Sequence, residues 1–270
     1  MSSNKNSRLR IDQLLVERGL VESREKAKRL IMAGQVRVNG QRLDKPAVQV
    51  PMSAKISLVQ PDPYVSRGAY KLIGALDHFK LEVEGLVACD VGSSTGGFTQ
   101  VLLERGAKRV YCIDVGKGQL HWKLRNDPRV RILEGVNARY LTPEMLEEAA
   151  DLCTIDVSFI SLKLILPAVK RILKPKGKIL ALVKPQFEAG RKDVKKGLVL
   201  KPDVHVTLLK SMIEYFLSHG LNCEGLTFSP IRGAKGNIEY FALLSIGSRK
   251  HTSNLNVESI VNTAFERLWR

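Results

Sequence analysis

The 270-residue sequence lacks the features expected of a membrane-spanning or secreted protein. No apolar run reaches the length of about 18 residues that a membrane-spanning helix requires. The first residues, MSSNKNSRLR, contain no apolar core like that of a signal peptide. The four cysteines form no CxxC pair and each lies in a short apolar run, which argues against a zinc site and a disulfide framework. We therefore expect a cytoplasmic protein without a metal ion.

Negative charge is scarce relative to positive charge. The chain has 43 Lys and Arg residues against 27 Asp and Glu residues, a formal net charge of +16. Such an excess favours a polyanionic partner, because binding releases counterions. An anionic membrane surface would attract the same charge, but nucleic acid is the partner that we expect. Residues 1–60 alone hold 12 basic and five acidic residues, so nearly half of the excess lies in less than a quarter of the chain.

The first 60 residues show two helical patterns followed by a hairpin pattern. IDQLLVERGL has apolar residues at helical spacing and ends near Gly19, a residue suited to a C-cap. The second helix begins after Ser23, a candidate N-cap, and its basic residues face away from its apolar ones. The next segment alternates apolar and polar residues around Asn39-Gly40, which is typical of a hairpin turn. These patterns predict a compact helix-helix-hairpin unit.

This unit resembles a known RNA-binding domain. The motifs RIDQLLVERGL, SREKAKRLI and GQVRVNG are similar to the S4 domain of ribosomal proteins and RNA-modifying enzymes, over about residues 8–58. A basic helix face can also be merely solvated, but here the charge is one-sided and the hairpin adds a second basic edge. The residues that we expect to contact RNA are Arg8, Arg10, Arg24, Lys28, Arg29, Arg37 and Arg42.

A linker and a larger domain follow. Two prolines in PDPYV discourage regular structure, so we expect a linker at residues 61–65 between domains at residues 1–60 and 66–270. From SRGAYKLIGALDHF onward, helical stretches alternate with strand-like runs, and a last helical pattern, VESIVNTAFERLW, is expected to pack on the domain. This alternation predicts an α/β domain with a mostly parallel sheet, helices on both faces and an antiparallel pair at one edge.

The first strand of this domain runs into a glycine-containing turn, CDVGSSTGGF. Glycines there let the backbone approach a ligand at the carboxyl end of the strand. A dinucleotide site would need GxGxxG, and Ser94 stands where the second glycine belongs, so an NAD-dependent oxidoreductase is disfavoured. The pattern D-x-G-x-x-x-G-G is similar to motif I of S-adenosylmethionine methyltransferases. The resemblance implies cofactor contacts by Asp90, Gly92, Ser93, Ser94, Thr95, Gly96, Gly97 and Phe98.

Two polar residues after later strands are placed to complete this cofactor site. Asp114 ends the run YCID, where an acid can accept both ribose hydroxyls of an adenosine, although it could also be a simple turn residue. Asn137 follows VRILEGV and is placed to address the edge of the adenine. The cofactor implied by this pattern is S-adenosylmethionine.

Polar residues also end the next two strands. Asp156 ends DLCTID and Lys184 follows GKILALV, and the carboxyl ends of neighbouring parallel strands converge on one crevice. Lys71 lies at the flank of the first helix of the domain, and Glu239 begins the last strand. Each residue alone would be an ordinary surface charge. Together, in this order, they resemble the catalytic tetrad of the FtsJ-like RNA ribose 2′-O-methyltransferases.

With the S4-like unit in front, the chain resembles the TlyA family, also called hemolysin A, essentially from end to end. The resemblance implies a Rossmann-like class I methyltransferase domain with a seven-stranded sheet, preceded by a small α+β domain. It implies Lys184 as the general base, Asp156 and Glu239 as its orienting partners and Lys71 as a second cation. An amine target is disfavoured, because DVSFIS stands where Asn/Asp-Pro-Pro-Tyr would be expected.

Two basic segments flank this set. Residues 185–203 follow Lys184 directly and form either a disordered surface loop or a loop that clamps RNA. The motif IRGAKGN precedes Glu239. The residues of the second domain that we expect to contact RNA are Arg67, Arg191, Lys192, Lys195, Lys196, Arg232 and Lys235.

The TlyA resemblance implies 2′-O-methylation of cytidine in ribosomal RNA, within an assembled subunit. Two other hypotheses stay open: a non-catalytic RNA-binding factor of ribosome assembly, and a membrane-lytic hemolysin, which the absence of a spanning run disfavours. The linker of some family members reads Arg-x-Trp-Val, whereas Asp62, Pro63, Tyr64 and Val65 stand here. A coupling of RNA engagement to cofactor binding through this linker therefore does not carry over directly. The modified nucleotide does not follow from the residues.

Overall fold

The computed structural model describes residues 7–60, 62–247 and 255–269. The chain divides into two compact units, residues 1–63 and 64–270. Pro61, in the segment where the linker is predicted, lies outside the described residues, as do residues 1–6, 248–254 and 270.

The described part of the first unit contains two helices and five strands of three residues each. They are β1 (Arg8–Arg10), α1 (Ile11–Glu17), α2 (Arg24–Met32), β2 (Val36–Val38), β3 (Gln41–Leu43), β4 (Gln49–Pro51) and β5 (Ile56–Leu58). β1 pairs with β4, and β2 lies between β3 and β5 in a second, antiparallel sheet. The apolar sides of both helices pack on the strands through Ile11, Leu14, Leu15, Ala27, Ile31, Val36 and Val50.

Local chemistry explains these boundaries. The Ser23 side chain accepts a hydrogen bond from the amide of Lys26, so it caps α2 as predicted. Gly19 follows α1 with a φ of +66°, and Asn39 and Gly40 turn the hairpin with φ values of +50° and +83°. The predicted helices and hairpin are confirmed. β1, β4 and β5, unlike β2 and β3, do not flank the turn at Asn39-Gly40 and were not predicted.

The described part of the second unit contains one seven-stranded sheet. Its strands are β6 (Val87–Val91), β7 (Arg109–Asp114), β8 (Val130–Glu134), β9 (Ala150–Ile155), β10 (Leu173–Val183), β11 (Leu221–Phe228) and β12 (Tyr240–Ile246). Its helices are α3 (Gly68–Phe79), α4 (Gly97–Glu104), α5 (Trp122–Arg125), α6 (Leu166–Arg171), α7 (Pro185–Glu188), α8 (Pro202–Ser218) and α9 (Val257–Leu268).

The strand order is β11-β12-β10-β9-β6-β7-β8. β6 to β10 are parallel, whereas β12 runs antiparallel to both β10 and β11, so the predicted mostly parallel sheet with an antiparallel edge is confirmed. The chain moves outward from β6 through β7 to β8 and then returns to β9 on the other side of β6. The crevice beyond the carboxyl ends of β6 and β9 is therefore the place where a sheet of this kind binds ligands.

Helices cover both faces of this sheet. Successive residues of β6 point to opposite faces: Cys89 packs in a cluster with α6, α8 and α9, and Ala88 packs in a cluster with α3 and α4. The predicted last helix thus packs on the domain through Val257 and Val261. Within the three described ranges, no helix has the length and hydropathy needed to cross a membrane.

The basic segment after Lys184 is folded. It contains α7, a single 3-10 turn at Arg191–Asp193 and an isolated bridge between Lys195 and Leu198. Val199 is completely buried and anchors the end of the segment. The hypothesis of a disordered surface loop is therefore wrong for these residues.

Candidate active site

Two adjoining cavities lie at the carboxyl ends of β6, β9 and β10. The larger, of about 600 Å³, is bordered by the start of α3, the glycine loop, Lys184 and residues 231–236. The smaller, of about 510 Å³, lies towards the ends of β7 and β8 and has mainly apolar walls. Both are lined by Gly92, Ser94, Asp156 and Ser158, so the two cavities meet at these residues.

The glycine loop passes close to the strand beside it. Gly92 has a φ of +86°, and a Cβ atom at this position would lie 2.5 Å from the carbonyl oxygen of Asp156. A side chain therefore cannot be accommodated there without moving the end of β9. The larger cavity is also lined by Ser93, Ser94, Thr95, Gly97 and Phe98, for which cofactor binding stays a prediction.

Two residues of the predicted cofactor loop line neither cavity. The side chain of Asp90 is buried beneath the loop, where the Thr99 hydroxyl donates to its Oδ2 atom at 2.7 Å. Burial raises the pKa of this carboxyl to about 7. Gly96 directly precedes α4 and has a φ of +97°. The side chains of Leu120 and Leu124 fill the space beside it. Asp90 and Gly96 therefore support the conformation of the loop without lining either cavity.

Asp114 lies at the end of β7 on the wall of the smaller cavity. Its Oδ2 accepts the amide of Ser94 at 2.8 Å and its Oδ1 accepts the amide of Gly116 at 2.7 Å. A carboxylate has about four acceptor positions, so it can still accept from a ligand diol. Asn137 lines the same cavity and caps a 3-10 turn by accepting the amide of Arg139.

The four predicted catalytic residues meet in one chain of charges. The Lys71 Nζ lies 2.7 Å from Glu239 Oε2 and 3.9 Å from Asp156 Oδ2. Asp156 Oδ1 lies 2.6 Å from Lys184 Nζ. The side chains are largely covered: Glu239 is 2% exposed, Lys184 9% and Lys71 11%. Two lysine amines and two carboxylates therefore alternate, and three of these residues, Lys71, Asp156 and Lys184, line the larger cavity.

One predicted pairing differs from the observed contacts. Glu239 was expected to orient Lys184, but it contacts Lys71. Glu239 directly precedes β12 and its carboxylate reaches Lys71 of α3, while Asp156 alone of the two carboxylates reaches Lys184. The second partner of Lys184 is the Ser158 hydroxyl, which accepts from Nζ at 2.9 Å. The sequence analysis considered DVSFIS only because it differs from the signature of amine methylation. The contact of Ser158 with Lys184 was therefore not predicted.

Basic residues surround the mouth of the larger cavity. Arg67, Arg232 and Lys235 line it, and Arg67 Nη2 donates to the Arg232 carbonyl at 3.2 Å. The four basic residues of the segment after α7, which were expected to bind RNA, do not line the cavity; Lys192 borders a separate depression beside α8.

Asn237 joins these two basic segments. Its side chain is buried, accepts the amide of Val199 at 3.2 Å and donates to the carbonyls of Gly197 at 2.8 Å and Ala234 at 3.3 Å. Sequence patterns did not reveal this residue, because two of its three partners, Val199 and Gly197, lie 38 and 40 positions away along the chain.

In the first unit, a buried acid orients two of the predicted RNA-binding residues. Asp12 is inaccessible to solvent and accepts from Arg10 Nε and Nη2 and from Arg24 Nη2, each at 3.0 Å. The hydrogen bonds from Arg10 and then Arg24 lower the pKa of this carboxyl to about 2, although burial opposes the shift. The side chains of Arg10 and Arg24 remain partly exposed, at 36% and 46%.

The other predicted RNA contacts are spread over the strands and α2 of this unit. Arg8 Nη2 donates to the Gln49 carbonyl, Lys28 pairs with Glu25, and Arg37 Nη1 donates to the Gly40 carbonyl. Arg29 lies in α2, and Arg42 lies in β3 with its guanidinium beside Gly34.

Comparison with known proteins places the chain in a family. It matches the FtsJ-like methyltransferase family over residues 64–245 and the S4 domain over residues 9–56. The provisionally named rRNA methyltransferase YqxC of Bacillus subtilis (strain 168) is 52% identical over 234 residues, which cover 86% of this chain and 83% of the relative. The 16S/23S rRNA (cytidine-2′-O)-methyltransferase TlyA of Mycobacterium tuberculosis is 44% identical, covering 95% of this chain and 97% of the relative.

A solved structure agrees with this assignment. A protein of Streptococcus thermophilus with a provisional hemolysin name superposes with a TM-score of 0.74 at 44% identity, and the match covers 96% of both chains. Together with the relatives named TlyA, the chain therefore belongs to the FtsJ-like methyltransferase family and carries an S4 domain in front of its methyltransferase domain.

Proposed function

We propose that the protein transfers a methyl group from S-adenosylmethionine to the 2′-hydroxyl of a cytidine in ribosomal RNA. The observation that carries the proposal is the contact of Lys184 with Asp156, nearly buried at the place where the two cavities meet. The names of the relatives supply the substrate: the Mycobacterium tuberculosis relative is named for methylating cytidine in 16S and 23S rRNA.

The smaller cavity fits the adenosyl part of the cofactor. Its walls include Ile113, Val136 and Ile160, which offer apolar surface to a purine ring, and Asp114 offers a carboxylate to the ribose hydroxyls. The glycine loop then leads from this cavity to the larger one, with room for the methionine part along Gly92. When bound, S-adenosylmethionine supplies an electrophilic methyl group on its sulfonium.

The residues of the larger cavity fit the requirements of a ribose hydroxyl as nucleophile. A neutral amine at Lys184 accepts the hydroxyl proton, and Asp156, 2.6 Å from Nζ, stabilises the ammonium that forms. Glu239 fixes Lys71 at 2.7 Å, which holds a second ammonium at the cavity floor, facing the RNA. A rigid arrangement contributes by aligning the nucleophile with the methyl group.

The basic residues at the cavity mouth and on the first unit support RNA as the substrate. Arg67, Arg232 and Lys235 can neutralise phosphates beside the target ribose. In the first unit, Asp12 holds Arg10 and Arg24, which can neutralise other phosphates of the RNA. We infer that the substrate is the rRNA of an assembled ribosomal subunit; the S4 domain and the rRNA named for the Mycobacterium tuberculosis relative support the RNA part of this inference.

The proposal is tested by methyl transfer to purified ribosomal subunits. The protein is incubated with radiolabelled cofactor and each subunit, and the modified nucleotide is mapped. We expect labelling of a cytidine ribose, and Lys184→Ala should lower the rate by about 10² to 10⁴, the usual contribution of a general base.

A matched control is available on α8. Lys210 pairs with Glu258 on the surface, and Lys210→Ala should retain the wild-type rate. Equal transfer by Lys184→Ala and wild type, or no transfer by the wild-type protein to either subunit, would contradict the proposal.

A further inference from the structure

The Lys184 amine contacts two oxygen groups of different kinds, an ion-pair partner and a hydrogen-bond acceptor. The Asp156 carboxylate lies 2.6 Å from Nζ, and the Ser158 hydroxyl accepts from Nζ at 2.9 Å. The carboxylate stabilises the positive charge that develops on the amine. A neutral hydroxyl is poorly suited to that purpose, so the second contact calls for a separate explanation.

The geometry of a primary amine gives one. Neutral Nζ has two N–H bonds and one lone pair, which point to three corners of a tetrahedron whose fourth corner is the Cε bond. Ser158 holds one N–H group, and the Asp156 carboxylate beside Nζ attracts the other N–H group and repels the lone pair. The lone pair then has a single favoured direction. With Asp156 alone, the amine could turn about the bond between Cε and Nζ, and the lone pair would sample two positions.

Ser158 is fixed where this restraint is needed. It lies two residues beyond Asp156, and its side chain lines both cavities at their junction. The loop that carries it is tied to the segment after Lys184: the Glu188 carboxylate accepts the Ser161 hydroxyl at 2.6 Å and the Leu162 amide at 2.7 Å. The spacing between Ser158 and Lys184 is therefore set from both ends of the loop.

We propose that Ser158 is a positioning residue for methyl transfer: its hydroxyl fixes the rotation of the Lys184 amine so that the lone pair points at the junction of the cavities. The inference rests on the proposed function, since it supposes that the ribose hydroxyl lies at this junction. Ser158 supplies no proton and no charge to the reaction, so it acts on turnover and leaves binding unchanged.

Ser158→Ala removes the acceptor, and Ser158→Thr keeps a hydroxyl on the same carbon. Initial rates are measured with ribosomal subunits and cofactor, and the Kd of S-adenosylhomocysteine is measured by calorimetry. We expect kcat of Ser158→Ala to fall by about tenfold, with KM and Kd unchanged within about twofold, and Ser158→Thr to recover most of the loss. An unchanged kcat would overturn the inference. A loss confined to KM and Kd would also overturn it, because it would assign Ser158 to binding.

A second readout does not depend on turnover. Acetic anhydride labels lysine amines in the absence of RNA, and mass spectrometry gives the rate at Lys184. Loss of the hydrogen bond should raise this rate in Ser158→Ala by about threefold, and Ser158→Thr should match wild type. If wild-type protein transfers no methyl group, the proposed function fails, whereas an equal labelling rate in wild type and Ser158→Ala refutes the positioning role by itself.

Discussion

At the scale of single residues, Gly92 satisfies two constraints at once. Its φ is +86°, and an added Cβ would lie 2.5 Å from the Asp156 carbonyl oxygen. Gly92→Ala should therefore push the glycine loop away from β9. We expect the affinity for S-adenosylhomocysteine to fall by about tenfold or more, which corresponds to about 1.4 kcal/mol. Calorimetry with the full chain measures it.

Gly118 offers a matched control for this substitution. Its φ of +71° is similar, but no atom lies within 4 Å of the added Cβ. Gly118→Ala should cost about 1 kcal/mol of backbone strain and leave the affinity near that of wild type. Equal affinities for Gly92→Ala and wild type would show that the loop has room that the structure does not indicate.

Single residues also show which parts of the site could not be predicted from the sequence. The glycine spacing identified the loop, because few other residues adopt a positive φ beside a strand. The same motif suggested that Asp90 contacts the cofactor, but the alternation of β6 turns its side chain beneath the loop towards Thr99. Asp12 went unnoticed because an acid beside Ile11 gives no sign of the two arginines that it orients.

At the scale of elements, the two basic segments around the active site depend on one side chain. Asn237→Ala would leave the buried Val199 amide and the Gly197 carbonyl without their partner, at a cost of about 1 to 3 kcal/mol. We expect faster amide hydrogen exchange in residues 191–199 and 231–236, with β12 unchanged, and a higher KM for ribosomal subunits.

Asn262, on the exposed side of α9, provides the comparison for that experiment. Asn262→Ala should leave exchange in both segments as in wild type. Faster exchange throughout the domain in Asn237→Ala would instead indicate that the residue supports the whole fold and not the two segments alone.

The order of helices and strands could be read from the sequence to a large extent. The second unit has strands long enough to display their patterns, such as the 11-residue β10, and helices that separate them. The ordered path of residues 185–203 could not be read, since its anchor is the long-range contact of Val199 with Asn237. Local patterns carry no information about such contacts.

At the scale of the whole molecule, the net charge of +16 is unevenly spread, with 12 basic and five acidic residues in residues 1–60. Binding to a ribosomal subunit should weaken steeply as salt is added. For a chain shortened to residues 64–270, we expect the slope of log K against log salt to be less steep by about 3, as for the loss of about four phosphate contacts.

Binding of S-adenosylhomocysteine serves as the control for the shortened chain, because retained affinity shows that the methyltransferase domain is folded. Identical salt slopes for the two chains would mean that the S4 domain contributes no phosphate contacts.

The four cysteines have a practical consequence. Cys89, Cys112, Cys153 and Cys223 are all buried in strands of the central sheet. Burial raises the pKa of Cys112 and Cys223 to about 12, so these thiols are protonated at neutral pH as well as covered. A maleimide reacts with thiolates and therefore reaches them only when the sheet opens. The rate of alkylation thus provides a built-in reporter of opening, which can compare the stability of every variant without an engineered probe.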